Sequence, residues 1–311
     1  MCGIAGIIYR NGNGAHRLGA DMTRMLQSMK HRGPDSTGYA LYRPPAADLI
    51  MRIKLADGGG NGEIEWADRL RHRREEVKAR IRAAGAKLAA VEDINDYTIA
   101  ATVDYDGDLK RLADYVESVP GAEVLSAGSA LEIVKDLGDA QTVGSAYKLD
   151  SYLGTHGIGH VRMATESDVD ISNAHPYWAY PFSDVAVVHN GQLTNYHQWR
   201  RRLERLGHRF ASDCDSEIIA VYLAQKMAEG ASLEQAMRMS LEDLDGVFTY
   251  ICVSDNALGM AKDELAAKPL VLYEGDDMVV LASEEIAIRA VIDREIETYD
   301  PYESEVMVWT R

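Results

Sequence analysis

The chain has 311 residues, 46% hydrophobic and 26% charged, with a formal charge of −16, so a sizeable core fits within one large domain or two modest ones. A chain this acidic is poorly matched to nucleic-acid phosphates or an anionic membrane surface, and no apolar run approaches the roughly 20 residues of a spanning helix. It opens without a signal-peptide pattern, and its three cysteines, Cys2, Cys214 and Cys252, lie far apart without a CxxC; a cytoplasmic protein with neither disulfide scaffold nor zinc ribbon is expected.

Residues 4–9 read as a short buried strand, closed by the turn Asn11-Gly12-Asn13-Gly14. Leu18, Met22, Met25, Leu26 and Met29 recur at helical spacing, and His31-Arg32-Gly33 stops that helix. Residues 37–43 alternate as a strand. Pro44-Pro45 interrupts it, and 49–55 is expected to resume as its hairpin partner. Residues 57–62, Asp-Gly-Gly-Gly-Asn-Gly, read as a flexible linker, since no strand followed by GxGxxG supports a phosphate loop.

Residues 63–90 are expected to form one long helix with Leu70, Val77, Ile81, Ala84 and Leu88 as its apolar stripe. Arg69, Arg71, Arg73, Arg74, Lys78, Arg80 and Arg82 cover its other faces, as a solvated surface or a docking surface for a partner. A strand (97–103), a helix (109–119), a strand (122–127) and a helix (130–137) follow. Together they suggest a small α/β subdomain inserted at 58–150. Asp104, Asp106 and Asp108 do not make a calcium loop, because Gly107 falls too early and Tyr115 stands where the bidentate Glu belongs; a turn and a helix cap are expected.

Beyond residue 150 strands are expected near 155–160, 184–189, 247–254, 257–262, 270–274 and 278–282. Helices are expected over 192–206, 215–227 and 232–244, the last opened by a Ser232/Gln235 capping box. Stacked antiparallel sheets flanked by helices, an α+β fold, would then be built from residues 1–57 and 151–311. His156 and His160 are four apart, but no Glu follows His156, so a structural role is expected in place of a zinc site. Cys214 and Cys252 read as small core residues.

Position two carries the first chemical signal. With Met1 removed, Cys2 holds a nucleophile and a base in one residue. Its α-amine, with an ordinary pKa of about 7.7–8.0, is partly neutral near pH 7 and can take the thiol proton. Cys2-Gly3-Ile4-Ala5-Gly6-Ile7 is followed in order by His31-Arg32-Gly33-Pro34-Asp35-Ser36, Gly159-His160-Val161-Arg162-Met163-Ala164-Thr165 and Asn173-Ala174-His175-Pro176. His189-Asn190-Gly191-Gln192-Leu193-Thr194-Asn195 and Asp215-Ser216-Glu217 complete the set.

This ordered set resembles the class II glutamine amidotransferases, the N-terminal nucleophile glutaminases. The resemblance implies a four-layer αββα sandwich with Cys2 as nucleophile. Asn190, through its side-chain amide, and Gly191, through its backbone N–H, look like the oxyanion hole. Arg162 should hold the α-carboxylate of glutamine and Asp215 its α-ammonium, with Thr165 also in the substrate site. Arg32 looks like a residue that packs against the nucleophile and orders its surroundings. The chemistry fits: a developing oxyanion needs aimed N–H donors, and a guanidinium matches a carboxylate bidentately. Taken singly, Asn190-Gly191 could be a plain hairpin turn and Asp215 a helix cap.

Lys262-Asp263, Lys268-Pro269-Leu270 and Ser283-Glu284 are similar to structural segments of the family. Many members carry an aromatic after the motif Arg and a His after its Thr, where this chain has Met163 and Glu166.

Members are usually fused to the synthase that uses the ammonia. Here the pattern runs almost to Arg311, so the acceptor is expected on a separate chain. The stand-alone form and the insertion resemble the amidotransferase subunit of glutamate-synthase-like systems, split glutamate synthases and N-methylglutamate synthases among them. That resemblance implies L-glutamine as substrate and a synthase partner carrying FMN and iron–sulfur. No cofactor is expected in this chain, which has neither a Cys cluster nor a dinucleotide loop. The alternatives are another N-terminal Cys amidohydrolase, acting on an apolar amide, or a catalytically silent regulatory subunit.

Overall fold

The computed structural model describes residues 2–10, 16–56, 64–163, 171, 173–180 and 184–311. The turn at 11–14, the linker at 57–62, Thr165 and Glu166 therefore lie outside the described residues.

Strand β1 (Gly3–Tyr9) is buried throughout because alternate residues meet two apolar environments. Ile4 and Ile8 face a core between sheets, while Ala5, Ile7 and Tyr9 face helices. In chain order there follow α1 (Leu18–Ser28), β2 (Ser36–Tyr42), β3 (Leu49–Lys54), α2 (Ile64–Ala83), β4 (Lys87–Asp93), β5 (Thr98–Asp104) and α3 (Leu109–Glu117). Then come β6 (Glu123–Gly128), β7 (Leu131–Leu137), α4 (Ala140–Ala146), β8 (His156–Arg162), β9 (Tyr177–Trp178) and β10 (Ala186–Leu193). The remainder is α5 (Tyr196–Arg205), α6 (Asp215–Ala228), α7 (Leu233–Asp243), β11 (Gly246–Val253), β12 (Ala257–Lys262), β13 (Val271–Glu274), β14 (Met278–Ala282), α8 (Glu285–Arg289) and β15 (Val306–Thr310).

One sheet has the order β13-β14-β1-β8-β2-β7 and a second β15-β12-β11-β10-β9. Ile4, Ile8 and Ile158 of the first pack against Ala186, Val188, Ile251 and Met260 of the second. The outer face of the first carries α1, α4 and α8, through Met22, Leu26, Val143 and Ile288. The outer face of the second carries α5, α6 and α7, through Leu203, Tyr222 and Met237. Helix, sheet, sheet, helix is the four-layer αββα sandwich expected from the sequence. A third sheet, β4-β5-β3-β6, buries Met51, Ile53, Ile99 and Ala101 against Val77 and Ile81 of α2 and Leu112 and Val116 of α3.

Several sequence expectations are corrected. β3 is not the hairpin partner of β2. It pairs with β5 and β6, whereas β2 pairs with β7 and β8. Pro44-Pro45 supplies no N–H to a ladder, and the chain leaves one sheet for another there. The helix expected over 63–90 ends at Ala83. Gly85, at φ +88°, sits in a Schellman arrangement: Ala86 N–H donates to Ile81 C=O and Gly85 N–H to Arg82 C=O. Leu88 and Ala90 belong to β4.

Residues 130–137, expected as a helix, form β7 at the edge of the six-stranded sheet. A distant carboxylate favours this. Asp184 Oδ1 accepts from the N–H groups of Ala130 and Leu131, both at 2.8 Å, and Oδ2 from Ser129 N–H at 3.1 Å, which fixes the β6–β7 turn. The helix expected over 192–206 starts only at Tyr196, because β10 runs through Leu193. The small sheet thus draws on β3 to β6, and β7 and α4 sit with the main layers. Asp108 caps α3, accepting from Arg111 N–H at 3.2 Å.

The basic face of α2 is largely neutralised: Arg71 pairs with Asp68, Arg74 with Asp93, Lys78 with Glu75 and Arg80 with Glu76. Arg73 donates to the Leu55 carbonyl. That favours a solvated surface over a docking one.

Candidate active site

The site forms where β1, β8 and β10 meet. Cys2 precedes β1 and shares the parity of Ile4, so it falls on the side facing the second sheet. β8 pairs Val161 with Gly3 and His160 with Ile4, and its inward set, Ile158, His160 and Arg162, brings Arg162 to the same end. In the opposing sheet, Ala186 and Val188 point inward, and Asn190 follows them. Its Nδ2 crosses between the sheets to donate to the Cys2 carbonyl at 3.2 Å.

The Cys2 carbonyl receives a second donor, Arg32 Nε, at 3.0 Å. Arg32 is itself held by Glu284 at 2.5 Å, and His31 Nε2 lies 3.0 Å from the same carboxylate. Ser283 Oγ accepts from Ile4 N–H at 3.0 Å, and Ser283 N–H donates to Ile4 C=O at 2.9 Å. The backbone around Cys2 is thus clamped from three sides. Cys2 Sγ is partly exposed and 3.9 Å from the Met163 carbonyl.

Glycines permit the close approaches. A Cβ on Gly33 would stand 2.3 Å from the Arg162 carbonyl carbon, so only glycine lets the His31–Ser36 segment lie on β8. Gly191 has φ +146°, and a Cβ there would meet the Val247 carbonyl oxygen at 2.1 Å. Asn190 pairs with Thr249 and Gly191 with Phe248 inside a continuous β10–β11 ladder, so this Asn-Gly is not a hairpin turn.

Asp215 is the first residue of α6, not its cap. Cys214 occupies the cap position without a side-chain bond. The Asp215 Oδ2 accepts from Leu193 N–H at 2.7 Å, tethering β10 two residues beyond Gly191. Lys262 and Asp263 bond to local backbone, Lys262 Nζ to Pro301 C=O at 3.1 Å and Asp263 to the N–H groups of Leu265 and Ala266. Glu284 is the residue whose importance the sequence understated. Ser283-Glu284 is recognisable as a turn, but its ion pair with Arg32 depends on β14 lying beside β1.

Three buried histidines, His160, His175 and His189, lie beside the site, and a fourth, His156, is buried at the far end of β8. His160 stacks on His175 with centroids 4.1 Å apart. His175 Nδ1 accepts from His189 N–H at 3.2 Å, and His189 Nδ1 lies 2.7 Å from Ser216 Oγ. Burial, then the neighbouring His189 and Arg162, pushes His160 down to about 3. Burial also lowers His175 and His189. Groups so lowered are poorly suited to act as a general base near neutrality. His156 bonds Thr155 Oγ1 at 2.8 Å and the Ser254 carbonyl at 2.7 Å, and burial lowers it to about 4. On a strand, His156 and His160 stand roughly 13 Å apart along the chain, too far to share a metal.

These histidines are neutral when folded and titrate near 6.5 when unfolded, so the unfolded chain binds more protons below that pH. Their contribution to stability is present above pH 6.5 and lost as the pH falls towards 4 and 3. The melting temperature, by calorimetry, should drop across that window, with a shallower slope in His156→Gln. An unchanged melting temperature from pH 6.5 to 4 would contradict neutral burial.

A family of glutamine amidotransferase domains matches residues 160–290. A putative glutamine amidotransferase of Methanothermobacter thermautotrophicus is 39% identical over 312 residues, covering 98% of this chain and 99% of its own length. The glutamine amidotransferase-like protein GlxB of Rhizobium meliloti is 35% identical over 310 residues, covering 99% and 98% respectively. Among solved structures, the glutamine phosphoribosylpyrophosphate amidotransferase from B. subtilis shares the fold, with a TM-score of 0.61 at 18% identity over 99% of this chain. This chain spans about half (47%) of that structure.

Proposed function

Because the chain belongs to the class II glutamine amidotransferases, we propose that it hydrolyses L-glutamine through Cys2 and passes the ammonia to a separate synthase subunit of glutamate-synthase type. The observation that carries the chemistry is the convergence of Asn190 and Arg32 on Cys2, with the glycine-only backbone of Gly191 alongside.

With Met1 removed, the Cys2 α-amine takes the thiol proton and the thiolate attacks the side-chain amide carbon of glutamine. One N–H of the Asn190 amide is held by the Cys2 carbonyl, and its second, with the Gly191 N–H, receives the oxyanion. Ammonia leaves after protonation by the α-ammonium, and a γ-glutamyl thioester remains. Water activated by the same amine hydrolyses it to glutamate. Arg162 takes the α-carboxylate. Asp215, whose Oδ2 also accepts from Leu193 N–H and Oδ1 from Ser216 Oγ, takes the α-ammonium. Thr165 is assigned to the substrate site by the family resemblance alone.

Support for a separate acceptor comes from coverage. The two relatives are matched over 99% and 98% of their own lengths, which leaves no fused synthase in either. The partner would carry FMN and iron–sulfur, and the reaction would run in the cytoplasm. No helix among the described residues is long and apolar enough to cross a membrane.

The test is an intact mass and an ammonia assay over a panel of amides. The expected result is a mass lacking Met1, release from L-glutamine but not from apolar acyl amides, and stimulation by the synthase subunit. Preference for an apolar amide would point to another N-terminal Cys amidohydrolase. A retained Met1 with no release, even in the complex, would leave a silent subunit.

A further inference from the structure

The four-stranded sheet buries one face on α2 and α3. Its other face turns to the main body and is polar, with Arg52 of β3 buried against Glu132 of β7. Between them lies a cavity of about 420 Å³, lined by Arg43, Arg52, Glu132, Thr102, Tyr147 and Lys148 among others. That volume falls in the range of small-molecule sites, roughly 300–1,000 Å³. Neither Cys2 nor Asn190 lines it. We propose that this cavity binds a small metabolite anion, a carboxylate or a phosphate, on the paired guanidinium groups of Arg43 and Arg52.

Two guanidinium groups share one carboxylate: Arg52 bonds Glu132, and Arg43 lies 3.4 Å from its other oxygen. The lining also includes Lys148, Glu92 and Asp93, and Asp93 is taken by Arg74 at 2.7 Å. With that pair neutral, three cations face two carboxylates, so one positive charge is uncompensated in a chain that is otherwise strongly acidic. The guanidinium fork matches carboxylate and phosphate oxygens bidentately. At the rim Lys148 is held at φ +55°, a left-handed conformation uncommon for lysine and concentrated at functional sites.

The experiment is calorimetric titration of the full chain at low chloride, with succinate in one arm and inorganic phosphate in the other. Saturable binding in either arm is expected, and the arm that binds identifies the source of the anion. Glu132→Gln removes the competing carboxylate and should tighten binding several-fold. Arg43→Gln, at a half-exposed position that spares the buried Arg52–Glu132 pair, should weaken it about tenfold or more with an unchanged circular dichroism spectrum. No saturable binding to wild type or to Glu132→Gln in either arm, or binding indifferent to Arg43→Gln, overturns the proposal. Because the readout is binding, its failure is distinct from failure of the glutaminase assignment.

Discussion

Cys2→Ala is expected to lower ammonia release from L-glutamine by a factor on the order of 10⁴ or more, since removing the nucleophile of a concerted group costs nearly the whole of its catalysis. The fold should survive. Cys2 Sγ is partly exposed and makes only a long contact to the Met163 carbonyl, whereas the bonds that place the residue run through its backbone carbonyl to Arg32 and Asn190. Cys2→Ser keeps the α-amine and offers a hydroxyl, whose proton is far harder to remove, so residual turnover above the alanine variant is expected. A steady-state ammonia assay, with mass spectrometry for a γ-glutamyl adduct on wild-type Cys2, checks both. Ammonia release indifferent to Cys2→Ala would place the nucleophile elsewhere.

Asn190→Ala is expected to lower kcat by about 10²–10³, equivalent to about 2.7–4 kcal/mol of transition-state stabilisation, with little change in KM. The oxyanion exists only after attack, so the lost donor is missed in the transition state more than in the bound substrate. The fold loses one hydrogen bond to the Cys2 carbonyl, a modest cost of about 1 kcal/mol. Arg32 still holds that carbonyl. Asn190→Asp preserves shape but sets a carboxylate beside the developing negative charge, and it should be at least as slow. A kcat within threefold of wild type in Asn190→Ala would remove the side chain from the oxyanion hole.

Most of the architecture was legible in residue order. Period-two and period-3.6 patterns located β1, α1, β2, β8, α6 and the strands from β11 to β14, because each buries a continuous apolar face whatever its neighbours. Local pattern failed where a partner distant in sequence decided the conformation. Residues 131–137, with Ile133-Val134 between charged neighbours, suit a helix or a strand. The Asp184 carboxylate and the β2 ladder hold them as a strand. Residues 84–90 carry apolar side chains in phase with the preceding helix, yet the Gly85 stop turns them into β4.

The sequence by itself determined the chemistry available: a cysteine at position two, an Asn-Gly pair, an arginine and an aspartate in a fixed order, and the two-sheet sandwich they belong to. Only the tertiary structure decided how those groups are held. It put Asn190-Gly191 inside a ladder and tied Asp215 to Leu193 instead of to a helix cap. It also made Glu284 the anchor of Arg32 and gathered Arg43, Arg52 and Glu132 around one cavity. The physical reason is the range of the forces involved. Burial patterns and turn preferences act within a few residues and are written along the chain, whereas ion pairs, buried hydrogen bonds and cavities join residues that become neighbours only when the sheets close.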